Sequence, residues 1–277
     1  MSKLQDISSL ITANAKRVQE ALRVIEELSK LPEISIKLDS TEFERTRFSL
    51  YALEQRLISK ILRKQKTRLF TGLYVILDTQ MLASGAELEI LTGVIKGGAN
   101  VIQLRDKHHR KGELLEIAGK IKDICHKSHT LFIVNDHLDI ALATDADGLH
   151  IGVEDLPMPV VRRELPIDKI VGVTTSDLTT AQKAEAEGAD YVSIGSIFPT
   201  TTKADAVVIG LEQLRHIKQK VSIPVVAVGG IDINNIGEVI SAGADSIAVI
   251  SSVLTQQNIE KATQRLVKEI ERKTEIH

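Results

Sequence analysis

Residues 187–195 read EGADYVSIG, and similar phrases recur at 97–104 (GGANVIQL), at 242–250 (AGADSIAVI) and more loosely at 144–152 (TDADGLHIG). In each phrase a helical segment, usually ending at a glycine, is followed by a short apolar run. Glycine just past a helix tolerates the left-handed backbone that closes the helix. A repeated helix-then-strand phrase is typical of βα units, which require parallel strands and right-handed crossovers.

Apolar runs that fit buried strands continue through the rest of the chain from Gly72 onward. Near-continuous apolar strands indicate a sheet that is covered on both faces. We count eight such runs, at 73–77, 100–104, 131–134, 147–151, 170–173, 190–195, 224–228 and 246–250. Eight βα units predict a closed (β/α)8 TIM barrel, with an open doubly wound sheet as the alternative.

The first part of the chain has a different pattern. Apolar residues recur at steps of three and four, and Pro32 separates two such segments, which predicts an antiparallel helical hairpin. The expected inward stripes are Leu4, Ile7, Ile11, Asn14, Val18, Ala21, Ile25 and Leu28, then Phe43, Leu50, Leu53, Leu57 and Ile61. We expect these stripes to be buried between the helices or against the next domain, although they could also dimerise. The charged run 63–68 (RKQKTR) predicts a linker, hence an all-α domain at 1–66 and a barrel domain at 67–277.

The composition excludes several classes of function. The 35 basic and 37 acidic residues are balanced, and there is no Trp, which argues against a nucleic-acid partner. No run approaches the roughly 18 apolar residues of a membrane span. The single cysteine, Cys125, cannot form an internal disulfide, and the first residues show no signal peptide. We therefore expect a cytoplasmic protein with no membrane partner.

In a TIM barrel the chemistry lies at the carboxyl ends of the strands. The second strand ends in Gln103, Leu104, Arg105, Asp106 and Lys107, and alternation places the amide and the two cations on one face or rim. Two cations and an amide at a barrel mouth suit an oxyanion as large as a diphosphate. The alternative is a solvated turn in which these cations pair with Asp106.

Two acidic residues follow the third and fourth strands. Asp136 ends the third strand and Asp155 lies in the loop after the fourth, so neighbouring strands would bring them together. Mg²⁺ takes few protein carboxylates and completes its shell with water and phosphate oxygens. Beside Arg105 and Lys107 these residues predict a Mg²⁺–diphosphate site, whereas each Asp taken alone favours a helix cap.

Hydroxyls and glycines follow the remaining strands. Residues 196–203 (SIFPTTTK) offer hydroxyls, backbone N–H groups and a cation after the sixth strand, and Thr174 follows the fifth. Gly229-Gly230 and Ile250-Ser251 follow strands seven and eight, where such barrels frequently bind phosphate. A hydroxyl-rich turn is the alternative interpretation of 196–203.

These phrases, in this order, closely resemble the thiamine-phosphate synthase family over about residues 72–255. The phrases are YVILD, QLRDK, VNDHLDIALATDADGLHIGVEDLP, GVTT, YVSIGSIFPTTTK, VAVGGI and IAVISSV. The resemblance implies a transferase of thiamine biosynthesis. It would condense 4-amino-5-hydroxymethyl-2-methylpyrimidine diphosphate with thiazole phosphate, giving thiamine phosphate and pyrophosphate with Mg²⁺ as cofactor. Residues 13–30 are similar to a helical extension found in some bacterial forms, and the resemblance implies no role for it.

The resemblance also implies roles for particular residues. It assigns the pyrimidine diphosphate to Gln103, Leu104, Arg105, Asp106, Lys107 and Asn135, and Mg²⁺ to Asp136 and Asp155. It assigns the thiazole phosphate to Thr200, Thr201, Thr202, Gly229, Gly230, Ile250 and Ser251, and the departing pyrophosphate to Lys203. The catalytic set it implies is Arg105, Lys107, Lys203 and Thr174. Where the family usually has Ser and then His two residues on, this chain has Thr174 and Ser176, so only the hydroxyl of Thr174 is carried over.

Two other functions fit the same barrel. A thiazole tautomerase would bind one phosphorylated thiazole and would need a base in place of the carboxylate pair. A non-catalytic sensor of phosphorylated ligands would use the helical hairpin as its output. A homo-oligomer is compatible with either of these functions and with the synthase.

Overall fold

The computed structural model describes residues 3–35, 38–82, 85–200 and 207–274, without the side chains of 3–6 and Gln65. The chain divides into two compact units, Met1–Gln65 and Lys66–His277. The predicted boundary differs from this division by one residue. That the two units are independent folding domains stays a prediction.

The first unit consists of α1 (Lys3–Ser29), a single turn α2 (Pro32–Ser35) and most of α3 (Ser40–Thr67). Gln19 donates to Glu54 and Arg47 donates to Glu26, so α1 and α3 run antiparallel. Pro32 begins α2 rather than ending α1, because proline is favoured in the first turn of a helix, where its missing N–H costs nothing.

The side chains buried in this hairpin are not the predicted ones. Of its described residues, the buried ones are Ala15, Glu26, Ser29, Glu54 and Ser59. The stripe residues Val18, Ile25, Leu28, Leu53 and Leu57 are exposed. The predicted inward face was therefore wrong for α1 and only partly right for α3, where Phe43, Leu50 and Ile61 are half-buried. The inward face of α1 is offset by about one residue from the predicted stripe. A wide apolar helix surface allows several rotations, and the polar contacts between the helices select one of them.

The second unit is a closed barrel of parallel strands in sequence order, with β1 pairing β8. Its strands are β1 (Gly72–Asp78), β2 (Val101–Arg105), β3 (Leu131–Asn135), β4 (Gly148–Ile151), β5 (Ile170–Thr175), β6 (Tyr191–Ile194), β7 (Val225–Val228) and β8 (Ser246–Val249). The predicted TIM barrel preceded by an all-α hairpin is confirmed, and the open sheet is excluded.

Helices cover the outside of the barrel. They are α4 (Glu87–Lys96), α5 (Lys111–Lys127), α6 (Leu138–Ala143), α7 (Met158–Glu164), α8 (Leu178–Ala186), α9 (Gly210–Lys218), α10 (Ile236–Ser241), α11 (Ser251–Leu254) and α12 (Ile259–Thr274). In α5 the buried residues Leu114, Ala118, Ile121 and Cys125 recur at helical spacing and face the strands. Among the described residues, no helix is long and apolar enough to cross a membrane.

Alternate strand residues belong to two separate apolar cores. On β2, Ile102 and Leu104 pack outward against the helices, whereas Val101 packs into the barrel lumen. Gln103 and Arg105 share the parity of Val101 and therefore point inward. Strand alternation thus gives the lumen an apolar lower part and a polar mouth.

Candidate active site

Arg105 stands at the carboxyl end of β2 and is held by an acidic partner on β1. Its guanidinium donates to Asp78, whose side chain is only 3 % exposed. Asp78 also accepts from the backbone N–H of Gln80, so the carboxylate is fixed on two sides. Arg105 itself remains about a quarter exposed, which leaves part of its guanidinium open toward the mouth. The arrangement holds a cation in place for an anionic ligand.

The second cation of this segment meets the two predicted metal carboxylates. Lys107 donates to Asp136, which has a positive φ of 61°. Asp155 accepts from the backbone N–H of Gly152 at 2.6 Å. Burial, followed by the close approach of the Asp136 carboxyl, raises the pKa of Asp155. The strand ends therefore bring Asp136 and Asp155 together, as their sequence positions suggested. Neither residue caps a helix, because the N-cap of α6 is His137 and that of α7 is Pro157.

The chemistry of this pair fits a divalent cation. Two carboxylates that approach each other in a half-buried position repel when both are ionised, and a cation between them relieves that repulsion. Lys107 supplies one positive charge to Asp136. Asp155 has its pKa raised, which indicates that its charge is incompletely compensated by the protein alone. Carboxylate oxygens match the ligand preferences of Mg²⁺.

Asp106, unlike Arg105 and Lys107, forms its hydrogen bonds within the turn that follows β2 and with Thr79. Its carboxylate accepts from the backbone N–H groups of His108 and His109, from the ring Nδ1 of His109 and from the hydroxyl of Thr79. Burial alone would raise the pKa of Asp106, but the hydrogen bonds from His109 and Thr79 outweigh it and lower the pKa. The residue is 1 % exposed and stabilises the turn after β2.

Asp106, His108 and His109 also form a cluster of three side chains whose nitrogen and oxygen atoms could bind a metal ion. Within the described part of the chain, this is the one group of three such side chains with these atoms within 4.8 Å of one another. Four hydrogen bonds already occupy the Asp106 carboxylate, so this cluster is better explained as a turn than as a metal site. Leu104, the remaining residue of the segment, packs outward in the core and can offer a ligand only its backbone.

A polar chain crosses the lumen below Arg105. Gln103 donates to Asn135 at 2.9 Å and accepts from Tyr74 at 2.5 Å. The Tyr74 hydroxyl lies 3.1 Å from that of Tyr191, which lies 3.0 Å from His150 Nδ1. His150 Nε2 is 2.9 Å from the Thr174 hydroxyl. The structure thereby connects Gln103, Asn135 and Thr174, three residues expected to bind substrate.

The loop after β6 lies against the end of β7. Ile197 N–H donates to Val228 and Phe198 N–H donates to Gly229, both at 3.0 Å. A Cβ on Gly229 would come within 2.2 Å of Ser196 Oγ, and one on Gly230 within 2.5 Å of the Pro199 carbonyl oxygen. The Gly-Gly pair is therefore required for this close approach, which positions the backbone leading to Thr200.

The rest of the predicted phosphate site is described only in part. Thr201, Thr202 and Lys203 lie outside the described residues. Ile250 precedes the short helix α11, which begins at Ser251. Ser251 follows β8 directly, so it lies at the same end of the barrel as Gly229 and Gly230.

Sequence reasoning missed Asp78, Tyr74 and Tyr191. Asp78 ends β1, so the rule that selects the carboxyl ends of strands could have found it. Tyr74 and Tyr191 gave a weaker signal, because a tyrosine early in an apolar strand usually packs in a core. His150 gave no distinct signal either, and its side chain forms hydrogen bonds with Tyr191 and Thr174 inside the lumen.

Comparisons with known proteins agree with this geometry. A family model described as thiamine monophosphate synthase matches residues 73–253, and one described as the ThiD2 family matches residues 1–56. Two thiamine-phosphate synthases are similar to this chain. The protein from Thermosynechococcus vestitus is 38% identical, and the match covers 95% of this chain and 74% of that protein. The protein from Moorella thermoacetica is 47% identical, and the match covers 70% of this chain and 93% of that protein. The structure of thiamine phosphate pyrophosphorylase from Pyrococcus furiosus matches with a TM-score of 0.70 at 42% identity, covering 74% of this chain and 98% of that one. The chain therefore belongs to the thiamine-phosphate synthase family.

Proposed function

We propose that this protein joins 4-amino-5-hydroxymethyl-2-methylpyrimidine diphosphate to thiazole phosphate, releasing pyrophosphate in a Mg²⁺-dependent reaction. Membership of the family makes it an enzyme of thiamine biosynthesis. The observation that carries the finer proposal is the convergence of Arg105 and Lys107 with the carboxyl pair Asp136 and Asp155 at one end of the barrel. Because the relatives that match most of the chain are synthases, condensation is favoured over the tautomerase and sensor alternatives.

Each residue of this group has a defined role in the proposal. Arg105 and Lys107 bind the diphosphate oxygens, and Asp78 keeps the guanidinium of Arg105 in position. Asp136 and Asp155 would hold Mg²⁺, which supplies positive charge to the leaving diphosphate when it is bound. The diphosphate would displace Lys107 from Asp136 as its own oxygens take up the ammonium group.

The bond changes need little proton transfer. The C–O bond between the pyrimidine methylene and the diphosphate breaks, and its electron pair leaves with the diphosphate oxygen. The amino group of the pyrimidine can stabilise the positive charge that develops on the methylene carbon. The thiazole nitrogen lone pair then forms the new C–N bond. The protein therefore acts by positioning two anionic substrates and by neutralising the leaving group.

The second substrate is assigned to the loops after β6, β7 and β8. In this proposal Thr200, Thr201 and Thr202 bind the thiazole phosphate together with Gly229, Gly230, Ile250 and Ser251. Lys203 contacts the departing pyrophosphate. Support comes from the close packing of the β6 loop on Gly229 and Gly230, which directs the chain toward Thr200 at the mouth.

The test is turnover of purified protein with both phosphorylated substrates, with and without Mg²⁺, measuring thiamine phosphate and pyrophosphate together. We expect equal amounts of both products and no product after Mg²⁺ is chelated. Lys107→Ala should lower kcat/KM by about 100-fold or more, the usual cost of one preorganised charge-stabilising donor. Lys111→Ala is the matched control, because Lys111 lies on the outer rim, pairs with Asp139 and is 56 % exposed. Equal effects of the two variants, or full activity without Mg²⁺, would contradict the proposal.

A further inference from the structure

Three side chains inside the barrel have no role in the function proposed above. Tyr74, Tyr191 and His150 come from β1, β6 and β4, and they join Gln103 on one side to Thr174 on the other. Tyr191 is fully buried, Tyr74 is 2% exposed and His150 is 6% exposed. Burying two phenols and an imidazole costs free energy unless each finds a hydrogen-bond partner. Every one of them does.

The backbone of β5 leaves room for the ring of Tyr191. A Cβ on Gly172 of β5 would lie 1.9 Å from the ring carbon that carries the Tyr191 hydroxyl, so only glycine leaves room for the ring. Phe70 packs against the Tyr191 ring with centroids 4.3 Å apart, and His150 stacks on it at 5.6 Å. The rings are therefore held in place by packing as well as by their polar contacts.

Each hydroxyl can donate only one hydrogen bond, so all the hydrogen bonds between Gln103 and Thr174 must be donated in the same direction. Tyr74 donates to Gln103 Oε1, so Tyr191 must donate to Tyr74. With its proton used, Tyr191 can only accept from His150 Nδ1–H. The Nε2 atom of His150 then carries no proton and accepts from Thr174. Reversal would require the amides of Gln103 and Asn135 to rotate and every link to invert together.

Both ring nitrogens of His150 are used in this arrangement, since Nδ1 lies 3.0 Å from the Tyr191 hydroxyl and Nε2 lies 2.9 Å from the Thr174 hydroxyl. A neutral ring with Nδ1 protonated is the form that the direction of the chain requires. The tautomer of His150 therefore shows in which direction the whole series of hydrogen bonds is donated.

The direction decides what each end offers to a ligand in the lumen. The Thr174 hydroxyl donates its hydrogen bond to His150, so it can only accept hydrogen bonds from a ligand. At the other end, with respect to the described residues, the Gln103 amide keeps one N–H beyond the one that it donates to Asn135, and the Asn135 amide group keeps its own. Acceptor and donors are thus separated by the group of Tyr74, Tyr191 and His150.

We propose that Tyr74, Tyr191 and His150 are positioning residues that fix this acceptor–donor pattern and thereby select an aminopyrimidine ring over an oxopyrimidine ring. The inference rests on the proposed function. An aminopyrimidine presents an amino donor and ring-nitrogen acceptors, which complement an acceptor at Thr174 and donors at Gln103 and Asn135. An oxopyrimidine in its lactam form presents a carbonyl acceptor and a ring N–H donor in their place. Sites that hydrogen-bond a polar substituent reject the mismatched analogue strongly, because buried groups lose their partners.

The first measurement is the nitrogen NMR spectrum of His150 in the full-length wild-type protein without ligand. We expect a neutral ring protonated at Nδ1. In Tyr191→Phe, which keeps the ring and removes the hydroxyl, the fixed tautomer should give way to a mixture. A wild-type imidazole protonated at Nε2, or at both nitrogens at neutral pH, would overturn the proposal.

The second measurement is specificity. Turnover and calorimetric binding are compared for the diphosphates of the 4-amino and 4-oxo pyrimidines. The wild type should prefer the amino form by about 1,000-fold or more, and Tyr191→Phe and Tyr74→Phe should each reduce that preference at least tenfold. The loss should be seen chiefly in KM for the pyrimidine. Tyr51→Phe is the matched control, because Tyr51 lies in α3 and is 55% exposed.

The outcomes separate the two proposals. A wild type that binds neither pyrimidine overturns the proposed function and the specificity inference with it. A wild type that turns over the amino substrate, with full discrimination retained in both tyrosine variants, overturns the specificity inference alone. Loss of discrimination in Tyr51→Phe as well would contradict it, since that hydroxyl is outside the chain of hydrogen bonds.

Discussion

The barrel unit buries Leu, Ile and Val along its strands, whereas the helical unit buries Glu26 and Glu54 and leaves large apolar side chains such as Leu28 and Leu53 exposed. In the barrel, burial follows from topology, because a closed sheet covered by helices has no solvent face for its strands. In the hairpin, two helices alone cannot enclose a core, and the polar contacts Gln19–Glu54 and Arg47–Glu26 define how they face each other. Amphipathic periodicity therefore located the helices without determining the buried face.

A matched pair of phenylalanines should show the largest difference between the two units. Phe132 is fully buried on β3, and Phe48 is 58% exposed on α3. Phe132→Ala should lower the free energy of unfolding by about 3–5 kcal/mol, through lost burial and the cavity left behind. Phe48→Ala should change it by no more than about 0.5 kcal/mol. Urea titrations followed by circular dichroism give both values. A cost above about 2 kcal/mol for Phe48→Ala would show that this face is covered in solution.

The second prediction concerns the carboxyl pair at the mouth of the barrel, Asp136 and Asp155. Asp136→Asn should keep the shape of the side chain and lower kcat/KM by about 100-fold, because the variant loses a carboxylate that would hold the Mg²⁺ that neutralises the leaving diphosphate. Asp139→Asn is the control, since Asp139 is 61 % exposed and pairs with Lys111 on the rim. Steady-state kinetics at several Mg²⁺ concentrations separate weakened metal binding from slower chemistry. Unchanged turnover and Mg²⁺ dependence in Asp136→Asn would remove this residue from the metal site.

The buried imidazole of His150 gives the stability of the barrel a pH dependence below neutral pH. Burial lowers the pKa of His150 to about 4, below the value of about 6.5 for an unfolded chain. Between these values the unfolded state binds a proton that the folded state does not, so stability falls as the pH decreases through that window. From pH 7 to pH 5 the contribution should be about 2 kcal/mol.

This pH effect is measured as a difference between variants. Urea unfolding at pH 7, 6 and 5 is compared for the wild type, His150→Gln and His126→Gln, the last being an exposed histidine of α5. The extra destabilisation should disappear in His150→Gln and persist in His126→Gln. The same pH dependence in all three proteins would show that carboxylates, rather than His150, are responsible.

The smallest effect is expected from removing the helical unit altogether. A chain that begins at Lys66 keeps the ion pair from Lys66 to Asp168 and the whole barrel. The Moorella relative aligns over 93% of its own length with only 70% of this chain, so a barrel of this family exists without such a unit. We expect kcat/KM to change by less than about threefold, a difference of well under 1 kcal/mol. An insoluble or inactive truncated chain would show that the helices complete the barrel or its site.

The sequence alone predicted most of the barrel. The strand positions agreed with the structure to within one or two residues at each end, because apolar runs and glycine helix ends are local signals. The rule that selects carboxyl ends of strands then found Arg105, Lys107, Asp136 and Asp155. The structure joins Lys107 to Asp136 and Asp136 to Asp155, whereas Arg105 pairs with Asp78.

Tertiary structure alone decided which polar atoms meet. Tyr74 and Tyr191 are 117 residues apart, and only barrel closure brings their hydroxyls to 3.1 Å. Nothing near Gly172 in the sequence shows that its missing side chain makes room for the Tyr191 ring. The apolar periodicity of a sequence indicates which residues of a helix or strand share a face. It contains no information on which distant residue lies opposite that face. For that reason the sequence determined the strands and the end of the barrel that carries the site, and the closed fold determined the hydrogen-bonded chain from Thr174 to Asn135.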